Sequence, residues 1–304
     1  MNDVKIFSSG FVSLIGRPNV GKSTLMNAFL GEKLSITSNK PQTTRNMIKG
    51  ILTESDSQIV FLDTPGIHDA KAVFNKKIVD EALVALEHID LILFLTEPNF
   101  SKSGKPFVTQ EDAYILERLK KSNVTKMLIV NKIDMVDKVQ LLPFIDLYKS
   151  ECDFEDIFMV SALENDGVDN LLGSIRKSLP DSVKYFDEDY ITDRPERFLA
   201  AEIIREKVFK MTSKEVPYST AVMVETFKEK PKQNLVVIDA TIIIEKDSQK
   251  GIIIGKGGKM LKKIGAESRR GIEELLNIRV FLKLFVKVSK NWTKSEVKLK
   301  EFGY

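Results

Sequence analysis

Gly16-Arg17-Pro18-Asn19-Val20-Gly21-Lys22-Ser23 lies between an apolar, strand-like run, Phe11 to Ile15, and a helix-like one, Thr24 to Phe29. That context decides its reading as a phosphate-binding loop. Glycines at this spacing let backbone N–H groups curl around a phosphate. Lys22 can reach the β and γ oxygens of a nucleotide, and the Ser23 hydroxyl can ligate Mg²⁺. A helix opening near Gly21 adds its positive end. A plain glycine turn would need neither the lysine nor the serine.

Working outward, apolar strand-like runs recur at Phe11 to Ile15, Ile59 to Leu62, Leu91 to Leu95, Met127 to Val130 and Ile157 to Val160. Helix-length stretches such as Phe74 to His88 separate them, and the alternation predicts a doubly wound, mainly parallel α/β sheet. Ligands of such sheets sit at the carboxyl ends of the strands, and the remaining motifs fall there. Asp63-Thr64-Pro65-Gly66 ends the Ile59 run, where an acid can hold the metal through water and the Gly66 N–H can sense a γ-phosphate.

Asn131-Lys132-Ile133-Asp134 ends the Met127 run. The Asp134 carboxylate can accept both N1–H and N2–H of guanine, a pairing adenine cannot offer, so GTP is favoured over ATP. Ser161-Ala162 is placed for a backbone N–H to meet the guanine oxygen. The polar loop Lys40-Pro41-Gln42-Thr43-Thr44-Arg45 offers a threonine to complete the Mg²⁺ shell. Spacing leaves Thr43 and Thr44 both open, with Thr44 slightly favoured.

The chain has 304 residues, enough for two domains, with a single cysteine, Cys152, and two histidines, His68 and His88. A disulfide framework or Cys/His zinc site is excluded, and a reducing cytoplasm fits best. No apolar run approaches the length that spans a bilayer. The net charge of +3 hides an asymmetry: residues 1–194 carry 23 Lys/Arg against 29 Asp/Glu, and residues 195–304 carry 23 against 14. An acidic nucleotide-handling half joined to a basic, polyanion-binding half is the expectation.

Pro180 to Pro195, with Asp187-Glu188-Asp189, reads as a linker that buries little. Pro195 to Met211 reads as an amphipathic helix, and strands are expected at Thr220 to Phe227 and Leu235 to Glu245. The segment Gly251-Ile252-Ile253-Ile254-Gly255-Lys256-Gly257-Gly258-Lys259 then precedes a long basic helix and a last strand, Arg279 to Val288. Gly255 to Gly258 is a Gly-x-x-Gly loop between helices, where an RNA backbone can approach closely. Lys256 and Lys259 attract phosphate, as can Lys262 and Arg269 on the following helix. Ile252, Ile253 and Ile254 are expected to floor a groove for about four bases. The alternation in Val280 to Val288 can be read as an RNA-stacking surface, but a half-buried strand covered by helices is the better reading, and Trp292 is expected to pack rather than touch RNA.

These motifs resemble, over residues 11–180, the translation-factor-like GTPases of ribosome assembly and RNA modification. The helix–strand–strand–helix–Gly-x-x-Gly–helix–strand order looks like a type II KH domain. Together, with Pro195 to Lys207 and Gly251 to Met260 especially similar, the chain resembles the Era family of GTPases. The resemblance implies a GTPase domain over 1–182, a linker over 183–196, a smaller α+β type II KH domain over 197–290 and a tail over 291–304. It implies contacts from Gly16 to Thr24, Asp63 to Ile67, Asn131 to Asp134 and Ser161-Ala162 to GTP or GDP, with Ser23, Thr43 or Thr44 and Asp63 at Mg²⁺.

Ile67 departs from the signalling GTPases, which carry a water-orienting glutamine there. Asn19 resembles the potassium-binding asparagine of related GTPases, which makes K⁺ a candidate cofactor; a plain loop asparagine is its equal competitor. Asn19, Lys22, Thr44 and Gly66 are the catalytic candidates. The resemblance further implies binding near the 3′ end of small-subunit ribosomal RNA, maturation of the small ribosomal subunit, a monomer in the cytoplasm, and peripheral contact with the inner membrane. A GTP-dependent membrane or cell-cycle regulator and a GTPase supporting RNA modification are the rival readings.

Overall fold

Near-continuous apolar runs are the mark of parallel strands covered on both faces, and the computed structural model places them so. It describes residues 7–38, 40, 43–66 and 89–304. Among these, 7–35, 44–66 and 89–193 form one compact unit, and the described residues of 36–43 with 194–304 form a second.

The first unit follows the order β1 (Ser8–Ile15), α1 (Lys22–Leu30), β2 (Ile48–Thr53), β3 (Ser57–Asp63), β4 (Leu91–Thr96), α2 (Gln110–Leu119), β5 (Thr125–Val130), α3 (Leu141–Glu151), β6 (Asp156–Met159) and α4 (Val168–Ser178). The sheet order is β2-β3-β1-β4-β5-β6. Every pair is parallel except β2 with β3. All residues of β3 and β4 are buried. Because β3 and β4 flank β1, the chain winds in opposite directions from β1, and the crevice lies at its carboxyl end, where Gly16 begins. The helix expected over Phe74 to His88 lies outside the described residues.

Pro180 to Asp193 buries little, as expected of a linker, yet its backbone is tied to the sheet. The N–H groups of Tyr185 and Phe186 donate to the side-chain oxygen of Gln58 at 2.7 and 3.0 Å, and the Gln58 amide donates to the Phe186 carbonyl at 2.9 Å. Gln58 is itself buried. The Ile51 N–H donates to Ile191 at 2.9 Å. Backbone groups of the segment thus find partners along the sheet, as buried polar groups must.

In the second unit, α5 (Glu196–Met211) leads into β7 (Ala221–Lys230), β8 (Leu235–Ile244), α6 (Asp247–Ile254), α7 (Lys259–Leu276), β9 (Arg279–Val288) and α8 (Glu296–Glu301). β8 pairs antiparallel with β7 and parallel with β9. Ala200, Ile204 and Val208 of α5, Ile253 of α6, and Ile264 and Ile272 of α7 pack on the Val236–Ile238–Ala240–Ile242–Ile244 face of β8.

α5 is not a simple amphipathic helix, because Glu202, Arg205 and Glu206 are buried along with its apolar residues. Within the same unit, Arg205 pairs with Glu202 and donates to the Thr43 carbonyl. Lys40 donates to the Phe209 and Thr212 carbonyls at the end of α5, and the Thr37 N–H donates to Glu206. A charged triplet without such partners would not tolerate burial. Residues 291–304 carry α8, and Trp292 is fully buried with its indole N–H on the Ser219 carbonyl at 3.0 Å.

Candidate nucleotide and nucleic-acid sites

The loop after β1 is shaped by its backbone. Gly21 has φ 100°, and a Cβ there would collide with the Asn131 amide, so only glycine fits. The Leu25 N–H already donates to the Gly21 carbonyl at 2.8 Å, so the first turn of α1 is formed and its leading N–H groups face the crevice. Lys22 is 6% exposed; its ammonium donates to the Gly16 carbonyl at 2.9 Å and to Arg17 at 3.1 Å. Burial pushes this ammonium down to about 8, against the pull of the Asp63 and Asp112 carboxylates. Asn19 adopts a left-handed φ of 67°.

One edge of the crevice gathers oxygen ligands. Ser23 Oγ donates to Asp63 Oδ2 at 2.6 Å and lies 2.8 Å from Thr44 Oγ1. Asp63 is fully buried, its second oxygen has no hydrogen-bond partner among the described residues, and burial pushes its carboxyl above the usual range. An orphaned buried carboxylate oxygen among hydroxyls is a hard-cation donor set and fits Mg²⁺. Of the two threonines, Thr44 is the one at this edge, whereas the Thr43 hydroxyl donates to the Lys40 carbonyl at 2.7 Å. Thr64 anchors the following turn on the Leu14 carbonyl at 2.7 Å. Gly66 closes against Pro18, where an added Cβ would fall 2.8 Å from backbone. Ile67 lies outside the described residues.

The other edge carries the candidate base-reading groups. The Asn131 amide donates to the Val20 carbonyl at 2.7 Å and its oxygen accepts from the Ala162 N–H at 2.9 Å, tying three loops together. Ser161 Oγ donates to Asp134 Oδ1 at 2.6 Å, fixing an exposed carboxylate toward solvent. Lys132, at φ 61°, and Ile133 carry the chain between these two anchors.

Sequence reasoning missed Glu97, which follows β4. It accepts from Arg17 of the phosphate loop at 2.9 Å and pairs with Lys132 of the base-reading loop. Arg17 also donates to Asn99 at 3.1 Å and lies 3.4 Å from buried Asp112, which Thr96 and Tyr148 hold through hydroxyls at 2.9 and 2.8 Å. The available signal was position: Glu97 stands at the carboxyl end of a buried parallel strand. Glu97→Ala leaves two half-buried cations sharing no acid. It should weaken GTP and GDP binding alike by about tenfold, measured by titration with fluorescent nucleotides. Loss confined to GTP would place Glu97 at the γ-phosphate instead.

In the second unit, Gly255 has φ 71° and ψ 172°, a region essentially closed to other residues, and Gly257 and Gly258 are also left-handed. Lys256, Gly257, Lys259 and Lys262 are exposed around the start of α7, and Arg269 is exposed in the second half of that helix. The three isoleucines do not form one floor. Ile253 is fully buried in the core, Ile254 is half-buried and Ile252 is 49% exposed, because successive helical residues point in different directions.

The family described as "50S ribosome-binding GTPase" matches residues 11–132, and the family described as "KH domain" matches residues 215–293. GTPase Era of Geobacter metallireducens is 54% identical over 298 residues, 98% of each chain, and GTPase Era of Geotalea uraniireducens is 53% identical over 99% of each. Two solved structures superpose with a TM-score of 0.91 at 39% identity, covering 98% of this chain and 99% of theirs. They are a variant of Aquifex aeolicus Era bound to GDP·AlF4⁻, and Era in complex with MgGDPNP and nucleotides 1506–1542 of 16S ribosomal RNA. With relatives this similar matching end to end, and with both the GTPase and the KH halves in place, the chain belongs to the GTPase Era family.

Proposed function

We propose that the protein is a GTP-switched assembly and maturation factor of the small ribosomal subunit, which binds small-subunit ribosomal RNA near its 3′ end through the Gly255 to Gly258 loop. The observation that carries the switch is the Ser23 hydroxyl set between Thr44 and Asp63. In this reading, Lys22 and the N–H groups opening α1 hold the phosphates, Asp134 reads guanine, and the Gly66 N–H meets the γ-phosphate. Ser23, Thr44 and Asp63 would hold Mg²⁺, which supplies positive charge to the phosphates when bound. With the γ-phosphate present, Thr44 and Asp63 to Gly66 stay ordered; after hydrolysis they are released.

The RNA half of the proposal rests on charge and exposure. Residues 250–290 carry 11 Lys/Arg against 3 Asp/Glu, and Lys256 and Gly257 stand open to solvent. Although one matching family is described by the large subunit, the related structure solved with RNA contains 16S RNA, which favours the small one. The double change Lys256→Asp and Gly257→Asp puts two anions in the phosphate path; at position 257 the side chain meets open space, and the left-handed φ of 60° strains only the exposed loop. It should cut affinity for a 16S 3′-end fragment by about 100-fold or more while leaving GTP hydrolysis intact, measured by fluorescence anisotropy and phosphate release. Unchanged RNA binding would remove this reading. Linkage requires that GTP tightens RNA binding as much as RNA tightens GTP binding, so equal RNA affinity with GDPNP and GDP would remove the switch.

The proposal extends to K⁺. The Asn19 side chain offers a hard oxygen within the phosphate loop, and positive charge beside the γ-phosphate would serve where no glutamine follows Gly66. GTPase rates about tenfold higher in KCl than in NaCl are expected; equal rates would refute the idea. The working form proposed is a cytoplasmic monomer whose basic second half also touches the anionic inner-membrane surface. No helix among the described residues is long and apolar enough to cross a membrane.

A further inference from the structure

The sheet of the second unit has two unlike faces. The face that carries Val236, Ile238, Ala240, Ile242 and Ile244 is covered by α5, α6 and α7. On β9 the residues that alternate away from it are Arg279, Phe281, Lys283, Phe285 and Lys287, and all five are exposed. Phe281 and Phe285 are 50% and 53% exposed, an unusual state for two large rings on a rigid strand. The Lys283 ammonium stands 5.5 Å from the Phe281 ring centroid. β9 is also an edge strand, so one side of this row is open.

We propose that this face, centred on Phe281 and Phe285, is a second RNA-binding surface, a stacking platform for the bases of a single strand leaving the Gly255 to Gly258 loop. The inference rests on the reading of that loop as RNA-binding. Two rings four residues apart on a strand lie about 13 Å from each other, with a cation between them and one beyond each end. Alternating aromatic and cationic groups on a flat support are what sequence-tolerant single-strand binding requires: rings for the bases, ammonium groups for the phosphates. Register extends the basic character to β7, where Lys228 pairs across from Val237, itself opposite Phe281, and Lys230 from Leu235, opposite Arg279. Against these five cations the face shows Asp239 beside Lys283, and Glu225, which accepts from Thr241 at 2.9 Å. The surplus of positive charge opposes a second copy of the same face and favours a polyanion. Because β9 packs on α7, with Leu284 beside Gly265, its edge separates the helical side from the open side, and a strand crossing that edge meets the rings.

The test uses the full chain with two labelled RNAs, a tetranucleotide long enough only for the Gly-x-x-Gly loop and a single strand of about twelve nucleotides containing it. Phe281→Ala with Phe285→Ala should weaken the longer RNA by about tenfold per ring and leave the tetranucleotide unchanged. Lys283→Ala with Lys287→Ala should lower the salt slope for the longer RNA alone. Both rings being exposed, the melting temperature should hold, and the lysine pair provides an independent reading if it does not. Unchanged affinity for the longer RNA in both double variants overturns the platform, as does an equal loss for both RNAs. If the ring variant instead loses binding to anionic vesicles, or loses self-association, with RNA binding intact, the face belongs to lipid or to a second copy and the proposal fails. If the unaltered protein binds neither RNA, the parent reading fails and the platform with it.

Discussion

Asp134→Asn should convert the protein from a GTP binder into one that prefers xanthosine triphosphate, lowering GTP affinity by on the order of 10³-fold. The geometry makes the direction explicit. Ser161 donates to Asp134 Oδ1, so in the asparagine variant that oxygen remains the acceptor and the new amide nitrogen takes the place of Oδ2. Guanine then presents an N–H donor to an N–H donor, and a desolvated polar group is left unpaired. Xanthine carries a carbonyl where guanine has its amino group, and the amide nitrogen can donate to it. Asn131, whose amide ties the Val20 and Ala162 loops, is untouched, so the pocket keeps its shape. Competition between the two triphosphates against a fluorescent analogue checks this. A variant that still prefers GTP would show that the carboxylate does not read the base.

The parts of the site that could be read from sequence are those where one short motif both makes the local structure and carries the chemistry. Gly21 must be glycine for its left-handed backbone, and Lys22 and Ser23 follow it at fixed places on α1; the spacing alone therefore put them in one crevice. Asp63 and Asp134 could be placed in one crevice because parallel strands deliver their carboxyl ends to the same end of the sheet. Contacts between distant segments were hidden. Glu97 belongs to no motif, and its role comes from Arg17 and Lys132 arriving from either side. Glu202, Arg205 and Glu206 read as a solvated helix face, and only the described residues of 36–43 folding onto them explain their burial. β2 escaped notice because Lys49 and Gly50 interrupt its apolar pattern. It is an antiparallel edge strand held mainly by its ladder to β3. The exposure of Phe281 and Phe285 was not legible, since alternation reveals two faces but not which of them a helix covers.

Lys22→Met is expected to separate stability from function at the phosphate loop. Methionine keeps much of the lysine's length and apolar volume, and Lys22 is almost wholly buried, so packing should survive. Burial already disfavours the ammonium, which offsets the loss of its bonds to the Gly16 and Arg17 carbonyls and of its attraction to Asp63, so the melting temperature of the nucleotide-free protein should change little. What is lost is the ammonium that donates to the Gly16 and Arg17 carbonyls from inside the loop and in the proposed complex turns to the β- and γ-phosphates. Charge developing on those oxygens would then go without this electrostatic partner, a loss on the order of 10³-fold in kcat/KM for GTP. Binding should suffer with it, so the rise in melting temperature that saturating GTP produces in the unaltered protein should nearly vanish. Lys22→Arg should not restore either property, because a planar fork cannot take the place of a compact point charge seated between two carbonyls. Phosphate release and thermal melts with and without GTP read both halves. A Met variant that hydrolyses GTP at the original rate and is still stabilised by it would move the phosphates away from Gly16 to Ser23 altogether.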